Sequence, residues 1–295
     1  MTQARMVETT LRNRSSGLQI ETKIIRTSGD EPSDVAPAIK QPAGRKGLFT
    51  AEIERALLAG SIDVAVHSAK DLPSALNPGT RIAAVLPRAA VDDILVSPND
   101  YDLESLPQNG RVATGSVRRR HQLRWKRPDL EVVDLRGNVP TRLRKLGREK
   151  WDGAILARAG LERLGLGTDN GRIQFEGSQL NISVLPADIF VPAGGQGIIA
   201  MQIRADNEVA LTLLQAINHA ETRLSLTAER EFLRLLEGDC NQPVGVFAIV
   251  TGNKMTMHGQ VFRANAPAPQ QAVVEGNVTD AEQLAAELLR RINDH

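Results

Sequence analysis

Cysteine, histidine and aromatic side chains are scarce in this 295-residue chain, and each shortage removes a class of function. A single cysteine, Cys240, excludes an internal disulfide framework and a cysteine-rich zinc site. The five histidines (His67, His121, His219, His258, His295) lie far apart, without a helical i, i+4 pair, so no metal is expected. Aromatics make up only 3% of the chain, which leaves little surface for stacking nucleic-acid bases. Apolar runs such as Val244 to Val250 stop well short of the ~18 residues of a membrane-spanning helix. Met1 to Arg14 is polar and carries Arg5, Arg12 and Arg14, unlike a secretory signal, so a cytoplasmic location is expected. Neither a phosphate-binding Gly-x-x-x-x-Gly-Lys-Ser/Thr, nor a strand-borne Gly-x-Gly-x-x-Gly, nor a Gly-x-Ser-x-Gly elbow is present.

What is present is a globular composition, 41% hydrophobic and 24% charged, in a chain long enough for two or three domains. The net charge of +1 conceals a segregation: positions 111–150 hold thirteen Lys/Arg against four acids, while the remainder is net acidic. Crowding like charge is unfavourable, so such a segment suits an anionic partner; solvated amphipathic helices are the plainer explanation for any single arginine.

Short β-branched runs alternate with helical stretches, which predicts α/β domains on largely parallel sheets. In the first block, Leu18 to Arg26 alternates like a strand, Leu48 to Leu58 has helical periodicity, and Ile62 to Val66 and Arg81 to Leu86 read as strands. The second block has strands at Ile94 to Val96, Arg111 to Ala113, Glu131 to Leu135 and Gly153 to Ala157. Helices are expected from about Ser116 to Arg127 and Val139 to Lys150. The polar stretch from Gly165 to about Gln179 reads as a surface connection, and Val191 to Arg204 as a Gly-rich turn leading into a strand. The third block predicts helices at Glu208 to His219 and Glu221 to Leu236, strands at Val244 to Val250 and Lys254 to Phe262, and a closing helix from Asp280 to Ile292. It reads as a small α+β domain.

Three junctions could hold an anion. Gly44-Arg45-Lys46-Gly47-Leu48-Phe49 is a Gly-bracketed basic loop before a helix, where free N–H groups and the helix dipole favour negative charge. Thr114-Gly115-Ser116-Val117-Arg118-Arg119 places two arginines in a first helical turn, opposing the dipole, a cost that a bound carboxylate or phosphate would offset. Leu135-Arg136-Gly137-Asn138-Val139 repeats strand-to-helix logic, with Arg142 one turn further in. Planar guanidinium groups suit bidentate binding of carboxylates. Asp71, in His67-Ser68-Ala69-Lys70-Asp71-Leu72-Pro73, follows a buried strand; it could shuttle a proton or balance a cation, or simply pair with Lys70. Cys240 sits in a turn-rich loop, Leu236 to Pro243, with no flanking base to activate its thiol.

Taken in order and spacing, several segments resemble the hydroxymethylbilane synthase (porphobilinogen deaminase) family over nearly the whole chain. They are Thr27 to Asp30, Lys46 to Phe49, Ala65 to Pro73, Arg118-Arg119, Leu135 to Val139, Gln196-Gly197 and Leu236 to Cys240. The resemblance implies a transferase of tetrapyrrole (haem) biosynthesis that joins four porphobilinogen molecules head to tail, releasing ammonia, to give hydroxymethylbilane. It implies two periplasmic-binding-protein-like domains with a cleft between them, 1–87 with 187–205 and 92–183, and a small C-terminal α+β domain, 208–295. It also implies a monomer without nucleic-acid or membrane partners. The implied cofactor is a dipyrromethane held by a thioether at Cys240. Lys46, Ser68, Lys70, Thr114, Ser116, Arg118 and Arg119 match positions that bind its acid groups. Arg136, Asn138, Arg142, Arg163 and Phe49 match substrate positions, and Asp71 matches the catalytic aspartate, which holds pyrrole N–H groups and stabilises the cationic azafulvene formed as ammonia leaves.

The chain also departs from the family pattern. Thr2 to Val7 matches the inside of the family's first helix, so the preceding strand, with an arginine and a serine, is missing from the expected first domain. Ala90-Val91-Asp92-Asp93 stands where Asp-Pro-Arg-Asp is common, Gly115 replaces a serine, and Asp239 a glycine. A binding protein that keeps the cleft without turnover is the alternative reading; a nucleic-acid binder is a third.

Overall fold

The computed structural model describes residues 1–25, 50–168, 170–236, 243–264 and 266–294. Helix α1 (Thr2–Arg14) buries Val7 and Leu11, one helical turn apart, against the first sheet. After α2 (Ala51–Leu58) come β1 (Ala65–Ser68), a 3-10 turn over Ala69–Asp71, and β2 (Thr80–Val85). These two strands flank β9 (Ile199–Arg204), which returns from far along the chain to the middle of the sheet and runs antiparallel to both. Helix α6 (Glu208–Gln215) closes one face through Ala210 and Leu214.

The second sheet has the order β5-β4-β6-β3-β8-β7. Strands β4 (Arg111–Ala113), β5 (Glu131–Val133) and β6 (Gly153–Ala157) are parallel, joined through α3 (Val117–Lys126) and α4 (Val139–Arg148). Strand β3 (Asp93–Ser97) runs antiparallel to β6 and to β8 (Ser178–Leu185), which turns back on β7 (Arg172–Phe175). A short α5 (Arg158–Glu162) follows β6. Ile94, Val96 and Leu156 face one core and Leu95, Val112 and Ile155 the other, as expected for strands covered on both sides. Each such side chain contributes about 1.5–3 kcal/mol by leaving water.

The third unit packs α7 (Ala220–Leu235) and α8 (Ala281–Asn293) on an antiparallel meander of β10 (Val244–Thr251), β11 (Lys254–Val261) and β12 (Gln270–Asn277). The molecule is therefore α/β with a small α+β unit.

Four expectations need correction. The sheets are not largely parallel: β9 and β3 pass through them in the opposite direction, and a β-branched run signals burial without signalling direction. Leu18 to Ile25 joins no sheet among the described residues; its alternation reflects Leu18 and Ile20 leaning on the first core. The stretch after Gly165 holds the β7–β8 hairpin, whose turn uses Glu176 and Gly177 at φ 48° and 82°, the left-handed pair a tight hairpin needs. Strand β12 also went unread, because its polar sequence buries only Val274.

Candidate functional site

Strand β1 delivers Ser68, Lys70 and Asp71 to one edge of the first sheet. The buried Ala69 anchors their turn, its N–H donating to the Ile198 carbonyl at 3.0 Å. Ser68 accepts from Gln3 Nε2 of α1 at 2.6 Å, Lys70 is part-buried and Asp71 is exposed. Gly195 lies directly beneath: at φ +76°, a Cβ there would come within 2.8 Å of the Lys70 nitrogen, so only glycine fits this approach.

On the second sheet, β4 ends at the buried Thr114, whose Oγ1 accepts from the Ser116 N–H at 3.3 Å. Ser116 caps α3, accepting from the Arg119 N–H at 3.5 Å. Gly115 has a local reason, since a Cβ would run into the Leu135 carbonyl. Arg118 and Arg119, in the first turn of α3, are both buried. At the next junction Asn138 caps α4, its Oδ1 accepting from the Thr141 N–H at 3.0 Å, and Pro140 occupies the first turn. Arg136 is exposed and paired with Asp134 at 2.8 Å, while Arg142 Nε donates to the Gly137 carbonyl at 2.7 Å. Arg163, at the end of α5, donates from one terminal nitrogen to the Gly197 carbonyl at 2.8 Å.

A buried acid organises the arginines. Asp93 opens β3 at zero exposure; its Oδ2 accepts from Arg118 at 2.8 Å and its Oδ1 from Arg119 at 2.7 Å and Gln196 Nε2 at 2.8 Å. Burial opposes its ionisation, but the two guanidinium groups overcome that and hold its carboxyl far below the ordinary range. Arg118 also donates to the Val191 carbonyl at 2.9 Å, and Arg119 to the Ile155 carbonyl at 3.0 Å. Each nonetheless keeps a buried Nε with no hydrogen-bond partner, as does Arg163.

The charges across this region act on one another. The Lys70 ammonium is lowered to about 8, chiefly by burial and then by Arg119, with Asp71 and Asp93 raising it and Arg118 lowering it. Burial and then Arg119 lower the Arg142 guanidinium, while Asp71 and Asp134 raise it. Lys70, Asp71, Arg118, Arg119 and Arg142 thus form one electrostatic cluster drawn from both sheets, while Arg163 is held separately on the Gly197 carbonyl. Lys70 and Asp71 make no direct ion pair among the described residues, so the simple turn-pair explanation for Asp71 does not hold. Arg136 and Asn138 sit at the margin, one exposed and one engaged as a cap. Lys46, Phe49 and Cys240 lie outside the described residues.

The sequence reading missed Asp93 and Gln196 as site residues. The available signal was an acid leading a fully apolar strand, Asp93-Ile94-Leu95-Val96. It also missed a second buried acid, Glu229 of α7, which accepts from Arg88 at 2.5 Å and from the N–H groups of Gly195 and Ala248 at 2.6 and 2.8 Å. The orphaned donors suit a polyanionic group: a dipyrromethane carrying acetate and propionate arms fits a set of cations left with unpaired buried N–H groups.

Comparison with known proteins gives a consistent result. Residues 1–212 match the family described as "Porphobilinogen deaminase, dipyromethane cofactor binding domain", and residues 223–294 match "Porphobilinogen deaminase, C-terminal domain". The chain is 42% identical to the porphobilinogen deaminase of Syntrophomonas wolfei over 98% of its own length and 90% of that protein. It is 42% identical to the enzyme of Moorella thermoacetica, over 98% and 88%. For that of Syntrophus aciditrophicus the identity is 40%, over 100% and 92%.

Proposed function

The chain belongs to the porphobilinogen deaminase family, and on that premise we propose that it condenses four porphobilinogen molecules head to tail to hydroxymethylbilane. The observation carrying this reading is the set of buried, unpartnered Nε–H groups on Arg118, Arg119 and Arg163, the first two within electrostatic reach of Lys70. Every pyrrole in the reaction carries two carboxylates, so the growing chain needs cations whose donors are not already satisfied within the protein.

In this reading Lys46, Ser68, Lys70, Thr114, Ser116, Arg118 and Arg119 hold acid arms of a dipyrromethane and of the substrate joined to it, and Cys240 is the thioether anchor. When bound, that group supplies the free pyrrole α-carbon to which the first substrate is joined. Phe49, Arg136, Asn138, Arg142 and Arg163 receive the incoming porphobilinogen. At each addition the substrate's aminomethyl C–N bond breaks, ammonia departs, a C–C bond forms, and a proton leaves the attacked carbon; after four additions one water releases the chain, its hydroxyl going to the terminal methylene and its proton to the carbon left behind. Positive charge develops on the reacting pyrrole as the amine leaves. In this reading Asp71 is the carboxylate that holds the pyrrole N–H groups and balances that charge, near enough to Lys70 and Arg142 for its own charge to act on both. Lys70 and the arginines bind equally before and after this step, so they set affinity, while Asp71 sets rate. The units 1–87 with 187–205 and 92–183 would close on the chain between them, with 208–295 presenting the anchor. The reading includes action as a monomer in the cytoplasm.

The test is the intact mass of the denatured protein beside that of Cys240→Ser, together with ammonia release from porphobilinogen. Added mass of two linked pyrroles in the parent alone, with turnover, is expected. An unmodified parent mass that persists after incubation with porphobilinogen would overturn the reading.

A further inference from the structure

Two adjacent guanidinium groups buried in a first helical turn are unfavourable in three ways: desolvation, mutual repulsion and the helix dipole. These costs exist before any ligand arrives, so the chain must offset them itself. One carboxylate shared by both is the smallest charge that can do so and still leave the cluster net positive. A second would neutralise the two arginines and remove their net attraction for an anion. Asp93 is that shared carboxylate, and its geometry is economical: it takes one terminal nitrogen from each arginine and leaves both Nε–H groups unpaired.

Asp93 has a third partner. Gln196 Nε2 donates to Asp93 at 2.8 Å and to the Val91 carbonyl at 2.6 Å. Gln196 lies between Gly195, pressed against the Lys70 backbone, and Gly197, whose carbonyl accepts from Arg163 and from the Ala89 N–H. The two chain passages between the sheets, around 88–93 and 191–198, are therefore tied to the two arginines through one side chain.

We propose that Asp93 is a positioning residue for acid-arm recognition: it holds Arg118 and Arg119 with their Nε–H groups available to a carboxylate and, through Gln196, fixes both against the passages joining the sheets. This deepens the proposed function and rests on it. Asp93 touches no substrate in this scheme; it acts through the arginines. The charged groups around Lys70, namely Arg118, Arg119, Asp71 and Asp93, make a second readout possible, because Asp93 supports the protonated lysine.

The experiment compares the full-length holoenzyme with Asp93→Asn, Arg119→Gln, the double variant and Gln196→Met. It measures kcat and KM for porphobilinogen against pH, with intact mass reporting the covalent load. A parallel series in a Cys240→Ser background measures the rise in unfolding temperature on adding porphobilinogen. If the parent protein neither turns over nor is stabilised by porphobilinogen, the functional reading itself fails, whatever Asp93 does. With an active parent, Asp93→Asn is expected to raise KM by about ten- to a hundredfold with kcat little changed, and to reduce the porphobilinogen-dependent stabilisation. In the Arg119→Gln background the effect of Asp93→Asn on KM should shrink to a few-fold, and the alkaline limb of the profile should move to lower pH in the single variant. An unchanged KM, or an equal loss with and without Arg119, overturns the proposal. Gln196→Met keeps both ion pairs and removes only the amide donor, so it decides the matter if Asp93→Asn does not fold. About a threefold or larger rise in its KM supports the proposal, and parent-like values overturn it.

Discussion

Among the described residues two carboxylates have zero exposure, Asp93 and Glu229, and they are handled differently. Around Glu229 nearly every donor is satisfied. Arg88 gives both terminal nitrogens to the carboxylate, its Nε goes to the Gln196 carbonyl, and two backbone N–H groups complete the shell. Around Asp93 the carboxylate is equally well bound, but its two arginines each keep a buried donor in reserve. Both are buried ion pairs; only one is closed. A buried charge alone therefore says little about function, whereas the donors left over around it indicate where a ligand would be accommodated.

The contrast can be broken most forcefully at Glu229. Glu229→Ala leaves the Arg88 charge buried without its carboxylate and two N–H groups without an acceptor, and a stability loss of about 3–5 kcal/mol by urea unfolding is expected, with the intrinsic chemistry of folded molecules retained. Equal loss of turnover in the folded fraction would show that this hub is not merely structural. Asp71→Ala should do the reverse: turnover down by about a hundred- to a thousandfold, unfolding midpoint unchanged. A fully active Asp71→Ala protein would sink the proposed role of that carboxylate.

A smaller effect should appear with pH. Lys70 has its pKa lowered from the usual value to about 8, so it is charged below that pH and neutral above it. Affinity for a carboxylated substrate should therefore fall as pH rises through about 8, read as an increase in KM. Because a bound carboxylate favours the ammonium form, the limb in kcat should lie at higher pH than that in kcat/KM. Flat profiles across pH 7–9 would remove Lys70 from the binding set. The smallest effect is expected at Arg144, whose 2.6 Å pair with Glu176 falls within the 2.5–2.8 Å of the buried pairs but lies in solvent. Arg144→Ala should leave the melting temperature and KM where they were, which would show that burial, and not distance, separates the two hubs from the surface pairs.

Much of the scaffold was legible in the sequence. The runs Ile94 to Val96, Arg111 to Ala113 and Gly153 to Ala157 are largely apolar because both faces of the second sheet are covered, and such runs are visible locally. The caps Ser116 and Asn138 announced α3 and α4. What escaped depended on distant partners. Strand β12 is an edge strand with one buried side chain, and nothing in Gln270 to Asn277 says that β11 lies beside it. The two arginines announced an anion, and the sequence reading assigned it wholly to a ligand. Part of that anion is Asp93, twenty-five residues upstream of Arg118, a separation at which pairing leaves no local pattern.

The passage from Ile189 to Ile198 has one further consequence. Its carbonyls accept from Gln260 of the third unit at 3.0 Å, Arg118 of the second at 2.9 Å and Ala69 of the first at 3.0 Å, and Pro192 accepts from Val246 at 2.8 Å. Ten residues thus serve all three sheets, and none of the sheets can melt without releasing bonds that the other two share. Heat should therefore dismantle the protein in one calorimetric transition, and a single protease cut in this strip would undo all three units together.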